Sequence, residues 1–293
     1  MRIMHLDAGR EMRGGQWQVL RLVDGLHREG VAYTLLARRG SPLFEMAHTA
    51  RLRVEPLAWR RALVLGRDHD LVHAHDARSH TIGMLLPGTP LVVSRRVAFP
   101  LRSRWKYGRA RHFIAVSEFV KSVLLAGGVP EEKITVVYDG VPLLDPARGT
   151  AVLAPPNALE PQKGASLASE AARLAGIPLE LSSNLESDLQ RAGLFLYITQ
   201  SEGLGSAALL AMSAAVPVIA SNVGGLREVI HHRENGILVE NSIEAIAVAL
   251  RELSQNPGLS RLLGQAGRQT VAEKFTTALM VRRTMEVYRQ VLA

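Results

Sequence analysis

LFLYITQSEGLGSAALLAMSAAVPVIASNVGGLRE, residues 194–228, sets two apolar runs on either side of a glycine turn and a helix-forming segment. Its first six residues, 194–199, are apolar, rich in β-formers and uncharged, the pattern of a strand buried on both faces. Gln200-Ser201-Glu202 end that run, and glycines follow at Gly203 and Gly205. Residues 206–214 are Ala, Leu, Met and Ser, a helix-forming composition, and 216–220 form a second buried strand closed by Ser221-Asn222 and Gly224-Gly225. Strand, glycine turn, helix and strand make a βαβ unit. Such a unit presents backbone N–H groups and a helix N-terminus at the carboxyl end of a parallel sheet, where a phosphate can sit. Glu202 stands at that mouth. A carboxylate suits hydroxyl groups rather than phosphate, so the site asks for a ligand that carries both.

Working outward, the same alternation runs through the chain. Strands are expected at 2–6, 31–37, 51–54, 71–74, 91–94, 113–116 and 134–137, with an amphipathic helix at 16–29 and further helices between the others. Residues 139–150, DGVPLLDPARGT, hold two glycines and two prolines without periodicity and read as a linker. A second α/β series follows, with strands near 151–153, 179–181, 194–199, 216–220 and 237–239 and a final amphipathic helix at 276–292. Repeated β-α-β spacing predicts doubly wound parallel sheets. The expected boundaries are 1–140 for a first domain, 141–150 for the linker, 151–275 for a second domain and 276–293 for the last helix.

At 293 residues the chain is long enough for two cores, and 47% hydrophobic with 21% charged residues is an ordinary globular balance. It contains no cysteine, which excludes a disulfide framework, a thiol nucleophile and cysteine-ligated metal. Met1-Arg2 run straight into the first expected strand, leaving no room for a signal peptide, so the expected location is cytoplasmic, at the inner face of the membrane. The net charge of +8 is uneven: residues 1–140 carry 22 Lys and Arg against 13 Asp and Glu. Its densest part, RRVAFPLRSRWKYGRARH at 95–112, sets seven basic residues among Phe99, Trp105 and Tyr107. It reads either as a solvated face or as a surface for anionic lipid headgroups. No nucleic-acid-binding motif accompanies it, so nucleic acid is not an expected partner.

Several pieces together resemble the family 4 glycosyltransferases. They are Gly14-Gly15 with the helix after it, DLVHAHD at 70–76, and IAVSEFVKSVLLAGGVPEEKITVVYDGV at 114–141. In the second half they are EPQKG at 160–164, SEGLG at 201–205, VPVIASNVGGLREVI at 216–230, ENGILVE at 234–240 and FTTALMVRRTMEVY at 275–288. The resemblance implies an α/β fold of two Rossmann-like domains facing a cleft, the GT-B architecture, with the last helix crossing back to the first domain. It also implies retaining, metal-independent transfer of a sugar from a nucleoside-diphosphate donor, with no cofactor. The acceptor would be a glycan or a lipid-linked glycan of the cell envelope or lipopolysaccharide type. The first domain would serve the acceptor and the second the nucleotide sugar.

Within that resemblance, Glu202 and His75 are the candidate catalytic residues. Gly14, Gly15, Lys163, Ser201, Gly203, Leu204, Gly205 and Ser206 are the candidate donor-binding set. Arg95 and Arg96 stand on the acceptor or phosphate side. Lys163 would give a cation to the leaving phosphate, and glycines at 15 and 205 would let backbone approach it. Each residue also has a plainer reading: a solvated lysine, a turn, a helix-start glutamate, a structural histidine. The chain departs from the family pattern in four places. Leu210 stands where a second glutamate is usual and Ala158 where an arginine is usual. Arg95-Arg96 replace a histidine, and the segment between Gly164 and Asp188 is short, so the second domain is expected to be shortened.

Those departures keep open a catalytically silent glycosyltransferase-like binding protein. GLGSAA at 203–208 also fits the G-x-G-x-x-A of a dinucleotide enzyme, but Ser221-Asn222 stand where the acidic ribose ligand belongs. His73-Ala74-His75-Asp76 offers a metal-hydrolase reading, with no further ligand cluster apart from His231-His232.

Overall fold

The computed structural model describes residues 1–101, 104–155 and 164–293. The chain divides into two compact units, Met1–Gly140 with Thr277–Ala293, and Val141–Thr276. Unit 1 carries strands β1 (Arg2–Asp7), β2 (Ala32–Ala37), β3 (Val54–Pro56), β4 (Leu71–Ala74), β5 (Leu91–Arg95), β6 (His112–Ala115) and β7 (Ile134–Val136). All its pairings are parallel, in the order β3-β2-β1-β4-β5-β6-β7. Unit 2 carries β8 (Ala151–Ala154), β9 (Leu179–Leu181), β10 (Ala192–Tyr197), β11 (Val218–Ser221) and β12 (Ile237–Val239). They too are all parallel, in the order β12-β11-β10-β8-β9.

Each sheet is wound outward in one direction and then in the other. The strand order turns back between β1 and β4 in unit 1 and between β8 and β10 in unit 2. Helices that follow two such neighbours leave toward opposite faces, so a crevice opens at the carboxyl ends of that strand pair. These two places are where the sites must be sought.

One face of the unit 1 sheet is covered by the helix Gly14–Arg28, which buries Val19, Leu22, Val23 and Leu26, and by the C-terminal helix Thr277–Leu292. Met280, Val281, Met285, Val287, Tyr288 and Val291 of that last helix join the same core as Ile3, Leu35, Leu71 and Val92. Burying each such aliphatic side chain contributes roughly 1.5–3 kcal/mol, which fixes the helix to unit 1 despite its distance in sequence. Gly25 permits the close approach: a Cβ there would lie 2.4 Å from Val281 Cγ2.

Several boundaries differ from the sequence-based expectations. The strand expected at 51–54 begins only at Val54, because Arg51 adopts φ 57° directly after the helix Pro42–Thr49 and spends residues on the turn. Residues 141–150 are not a free linker but are laid along unit 2. Ala147 N–H donates to the Ala214 carbonyl, Arg148 N–H to that of Gln190, and Gly149 sits against the Arg191 backbone. Val141 N–H donates to the Phe275 carbonyl at 2.9 Å, so the points where the chain enters and leaves unit 2 lie side by side. The short segment after Gly164 supplies one helix, Ala165–Ala175, the edge strand β9 and the single turn Leu185–Asp188. Among the described residues, that leaves the second sheet with five strands against seven in the first.

Candidate functional site

In unit 2, β10 delivers the chain to its carboxyl end through Ile198 and Thr199. Thr199 is held on both sides: its N–H donates to Ser221 Oγ at 2.9 Å and its carbonyl accepts from Asn241 Nδ2 at 2.9 Å. The ends of β10, β11 and β12 are thereby tied together. Ser201 is exposed and Glu202 half-buried, while Gly203, Leu204 and Gly205 are buried. The helix Ser206–Ser213 starts from Gly205 and carries no side-chain cap, so its N-terminal dipole faces the turn. Gly205 takes φ 108°, and a Cβ there would lie 2.6 Å from Leu226 Cδ2. Its glycine is therefore required by backbone conformation and by Leu226, not by room for a ligand. Leu204, 1% exposed, gives its side chain to the core and offers the site only its backbone.

The Glu202 carboxylate does not stand free at the mouth. Tyr197 Oη donates to its Oε2 at 2.5 Å, and Gly203 N–H donates to its Oε1 at 3.0 Å. Burial first, and the adjacent Glu202 charge second, push the Tyr197 phenol well above its ordinary value, so it remains an O–H donor. Ionised Glu202 keeps further lone pairs, which can only accept, and sugar hydroxyls are suited to them. At the N-cap of the helix Ala165–Ala175, Gly164 (φ 61°) packs on Ile198, with its Cβ position 2.6 Å from Ile198 Cγ2. Lys163 lies outside the described residues. Leu210, in place of a second carboxylate, is buried in the helix.

In unit 1 the crevice between β1 and β4 is lined by polar residues of unusual burial. His5 of β1 stands opposite His73 of β4. His5 Nδ1 and His75 Nε2 lie 3.0 Å apart with the rings stacked. His73 is hydrogen-bonded at both nitrogens, to Tyr288 Oη at 2.6 Å and to Ser94 Oγ at 2.8 Å. Arg96 forms an ion pair with Asp139, Nε to Oδ1 3.1 Å, and points Nη1 at His75 Nδ1 from 3.5 Å. Since a guanidinium can only donate, His75 Nδ1 accepts, its Nε2–H donates to His5 Nδ1, and the His5 proton sits on Nε2. That nitrogen is buried and has no partner among the described residues. Desolvation lowers His5 to about 3 and holds His73 and His75 well below the ordinary histidine value. All three rings are neutral.

Gly15 and Arg96, far apart in sequence, meet here: a Cβ on Gly15 would lie 3.7 Å from Arg96 Cδ. Gly14 is exposed at the start of the same helix. Arg95 is not brought to this place. Successive strand residues face opposite ways, and Arg95 turns to the other side, donating to Tyr107 Oη at 2.8 Å and to the Phe99 carbonyl. Sequence reasoning missed Asp7 and Gln16. Asp7, buried at the end of β1, accepts from Gly9 N–H and Gln16 Nε2, and desolvation ahead of the nearby Asp76 raises it to about 6. It also missed His5, although alternation along 2–6 puts a histidine on a buried strand, itself a signal.

His5, His73 and His75 form the one group among the described residues whose ligand atoms, within 4.8 Å of one another, are close enough to share a metal ion. A cation there would have to displace one of the two His73 hydrogen bonds and sit beside Arg96. Asp76 is not available to it, because it caps the helix Ala77–Gly83 through Arg78 N–H, Ser79 N–H and Ser79 Oγ. Within the HAHD run, His73 is thus engaged by Tyr288 and Ser94 and Asp76 by the helix start.

Two parallel α/β units of Rossmann type, each with a crevice at its switch point, are the components of the GT-B fold. The crystal structure of Anabaena HepE in complex with UDP and glucose superposes with a TM-score of 0.87 over 99% of this chain and 100% of that one, at 14% identity. The model for Glycosyltransferase Family 4 matches residues 12–143 and that for Glycosyl transferases group 1 matches 177–270. The chain belongs to this family of glycosyltransferases. Curated relatives include the alpha-maltose-1-phosphate synthase of Mycolicibacterium smegmatis, 38% identical over 36% of this chain and 29% of that protein. Another is the capsular polysaccharide biosynthesis glycosyltransferase CapM of Staphylococcus aureus, 30% identical over 34% of this chain and 26% of that protein. The aligned stretch spans less than a third of each curated relative's length.

The neutral histidines make stability depend on pH. Their folded-state values lie below the unfolded value of 6.5, so below that pH the unfolded chain binds more protons and stability falls as pH drops. Asp7 acts oppositely: its folded value is raised from 3.8 to about 6, so its stabilisation is present at low pH and is lost as pH rises through that window. Each group contributes a slope of about 1.4 kcal/mol per pH unit, and three histidines outweigh one aspartate. Urea denaturation is expected to show a midpoint falling from pH 6.5 to pH 4.5 and flat above pH 7. A midpoint that rises on acidification would contradict the neutral cluster.

Proposed function

We propose that this chain transfers a sugar, with retention at the anomeric carbon and without a metal, from a nucleoside-diphosphate donor to a cell-envelope glycan or lipid-linked glycan. The observation that carries the reading is the turn between β10 and the helix Ser206–Ser213. An acceptor-only carboxylate is pinned there beside an uncapped helix N-terminus, at the switch point of a Rossmann-type sheet. The chemistry follows from charge. As the glycosidic bond to the donor breaks, negative charge grows on the diphosphate, and backbone N–H groups at the helix start stabilise it without reorganising. Lys163, by the family resemblance, adds a cation to the same phosphate. Glu202 accepts hydrogen bonds from the donor-sugar hydroxyls, and Ser201 and Ser206 flank it. In unit 1, Arg96, oriented by Asp139 and next to Gly15, offers a cation to a phosphate, and His75 lines the crevice that receives the acceptor. With cations and dipoles supplied by the chain, the leaving group needs no metal or cofactor.

CapM, a glycosyltransferase of capsular polysaccharide biosynthesis, supports an envelope-type acceptor for this chain. The basic segment supports a peripheral site of action on an anionic membrane surface. Val97, Phe99 and Trp105 are exposed, and the Arg109 guanidinium lies 5.1 Å over the Trp105 ring. Three of its basic residues are engaged internally, Arg95 with Tyr107, Arg96 with Asp139 and Lys106 with Ala77 and Thr81, so the attraction rests on the remainder. Among the described residues no helix is long and apolar enough to cross a membrane. The protein is expected to pellet with vesicles containing anionic lipid and to be released by salt, since screening acts over ~8–10 Å. Equal binding to neutral vesicles would remove this part of the reading.

A second reading, a catalytically silent relative, is favoured by Leu210, which puts a buried aliphatic side chain where ribose recognition would use a carboxylate. The two readings separate on Glu202→Gln. Transfer is expected to fall by ~10²-fold or more, the scale of one lost electrostatic contact, in a protein destabilised by only about 1 kcal/mol. A parent protein that is stabilised by UDP-, GDP-, ADP- or TDP-sugars but never turns them over would establish the silent reading instead.

A further inference from the structure

Tyr197 is the last residue of β10 and lies within the apolar run 194–199, so by sequence it belongs to the core. Its ring does: it is 7% exposed, lies nearly parallel to Phe195 with centroids 6.1 Å apart, and packs under Gly205, whose Cβ position is 3.7 Å from Tyr197 Cε1. Its hydroxyl does something a core phenylalanine cannot. It reaches the end of the strand and donates a 2.5 Å hydrogen bond to Glu202 Oε2. We infer that Tyr197 is a positioning residue, which holds the Glu202 carboxylate in the single orientation that meets the hydroxyls of the donor sugar. The inference rests on the donor-sugar reading of Glu202 given above.

The geometry explains why a second anchor is needed. Gly203 N–H fixes Oε1 from the adjacent residue, a contact about which the carboxylate plane can still turn. A bond to Oε2 from a buried ring on β10 removes that rotation, because the ring is held in the core beside Phe195 and Gly205. Of the four lone-pair directions of the carboxylate, two are then occupied and the other two have fixed directions. A ligand that satisfies both must present two hydroxyl donors at set positions, as a neutral hexose does. A uronic acid, which brings a second carboxylate, is repelled by the same arrangement. The orientational cost of the contact is met in the folded protein before the donor arrives.

The same hydrogen bond could serve only to tie the turn 198–205 to its strand. Tyr197→Phe distinguishes the two roles, because it keeps the ring and its packing and removes only the hydroxyl. The test measures kcat/KM with UDP-glucose, or with whichever sugar nucleotide best stabilises the parent, and affinity for the corresponding nucleoside diphosphate, which lacks the sugar. Positioning predicts that Tyr197→Phe lowers kcat/KM by about 10-fold or more while the diphosphate binds as in the parent. It also predicts that Tyr197→Phe causes little further loss in a Glu202→Gln background, where the oriented carboxylate is already gone. Parallel loss of affinity for the diphosphate, together with a lower melting temperature, would assign the bond to structure alone and overturn the inference. So would an unimpaired Tyr197→Phe protein when Glu202→Gln is impaired. If Glu202→Gln itself transfers sugar normally, it is the underlying reading of Glu202 that fails.

Discussion

A parallel sheet that is wound first one way and then the other must leave two adjacent strands whose following helices part, and everything chemical in this protein depends on that constraint. In unit 1 the parting strands are β1 and β4, and in unit 2 they are β8 and β10. There the carboxyl ends of the strands open between the parting helices. His5, Asp7, His75 and Gly15 gather at the first place, and Glu202 with the uncapped helix start at the second. The packing that holds the sheets together is what gives these residues their directions.

The two crevices use burial to opposite ends. In unit 1, desolvation strips charge from three imidazoles, and the Arg96–Asp139 ion pair stands beside them. Neutral rings joined in a chain make a stiff polar floor, closed from beneath by Tyr288 of the C-terminal helix. That helix therefore supplies more than apolar burial: a phenol donated across 215 residues of sequence orders the site of unit 1. In unit 2 the half-buried carboxylate of Glu202 is stabilised instead by donors on both oxygens and by the dipole of a helix. One crevice is arranged as a neutral surface around a fixed guanidinium, the other as a fixed anion next to a cluster of N–H groups.

The parts of this arrangement that follow from local pattern were legible in the sequence. Buried strands, the glycine turn and the helix of residues 194–220 are a matter of periodicity and composition, and Glu202 stands out because it interrupts an apolar surround. Gly14-Gly15 and Arg96 were legible as residues, but their meeting was not, since no local rule joins a helix start to a strand end about 80 positions away. Arg95 and Arg96 looked equivalent as a pair of arginines, yet strand alternation sends them to opposite faces. Tyr197 was hidden for a different reason: its ring obeys the apolar pattern so well that the hydroxyl attracts no notice. His5 was passed over because its partners, His75 and His73, come from another strand. The linker composition of 141–150 was real, but Pro and Gly specify an irregular path, and they do not say whether that path is free or packed.

The central claim is that the turn between β10 and the helix Ser206–Ser213 holds the donor, with phosphate and sugar recognised by different groups. The most direct measurement is a crystal structure of the protein grown with the sugar nucleotide that stabilises it most. The account predicts the diphosphate over the backbone N–H groups at the start of that helix and the sugar within hydrogen-bonding distance of Glu202, with the Tyr197–Glu202 bond intact. A nucleotide bound elsewhere, or bound at the helix with Glu202 more than a hydrogen bond away from every sugar hydroxyl, would contradict it.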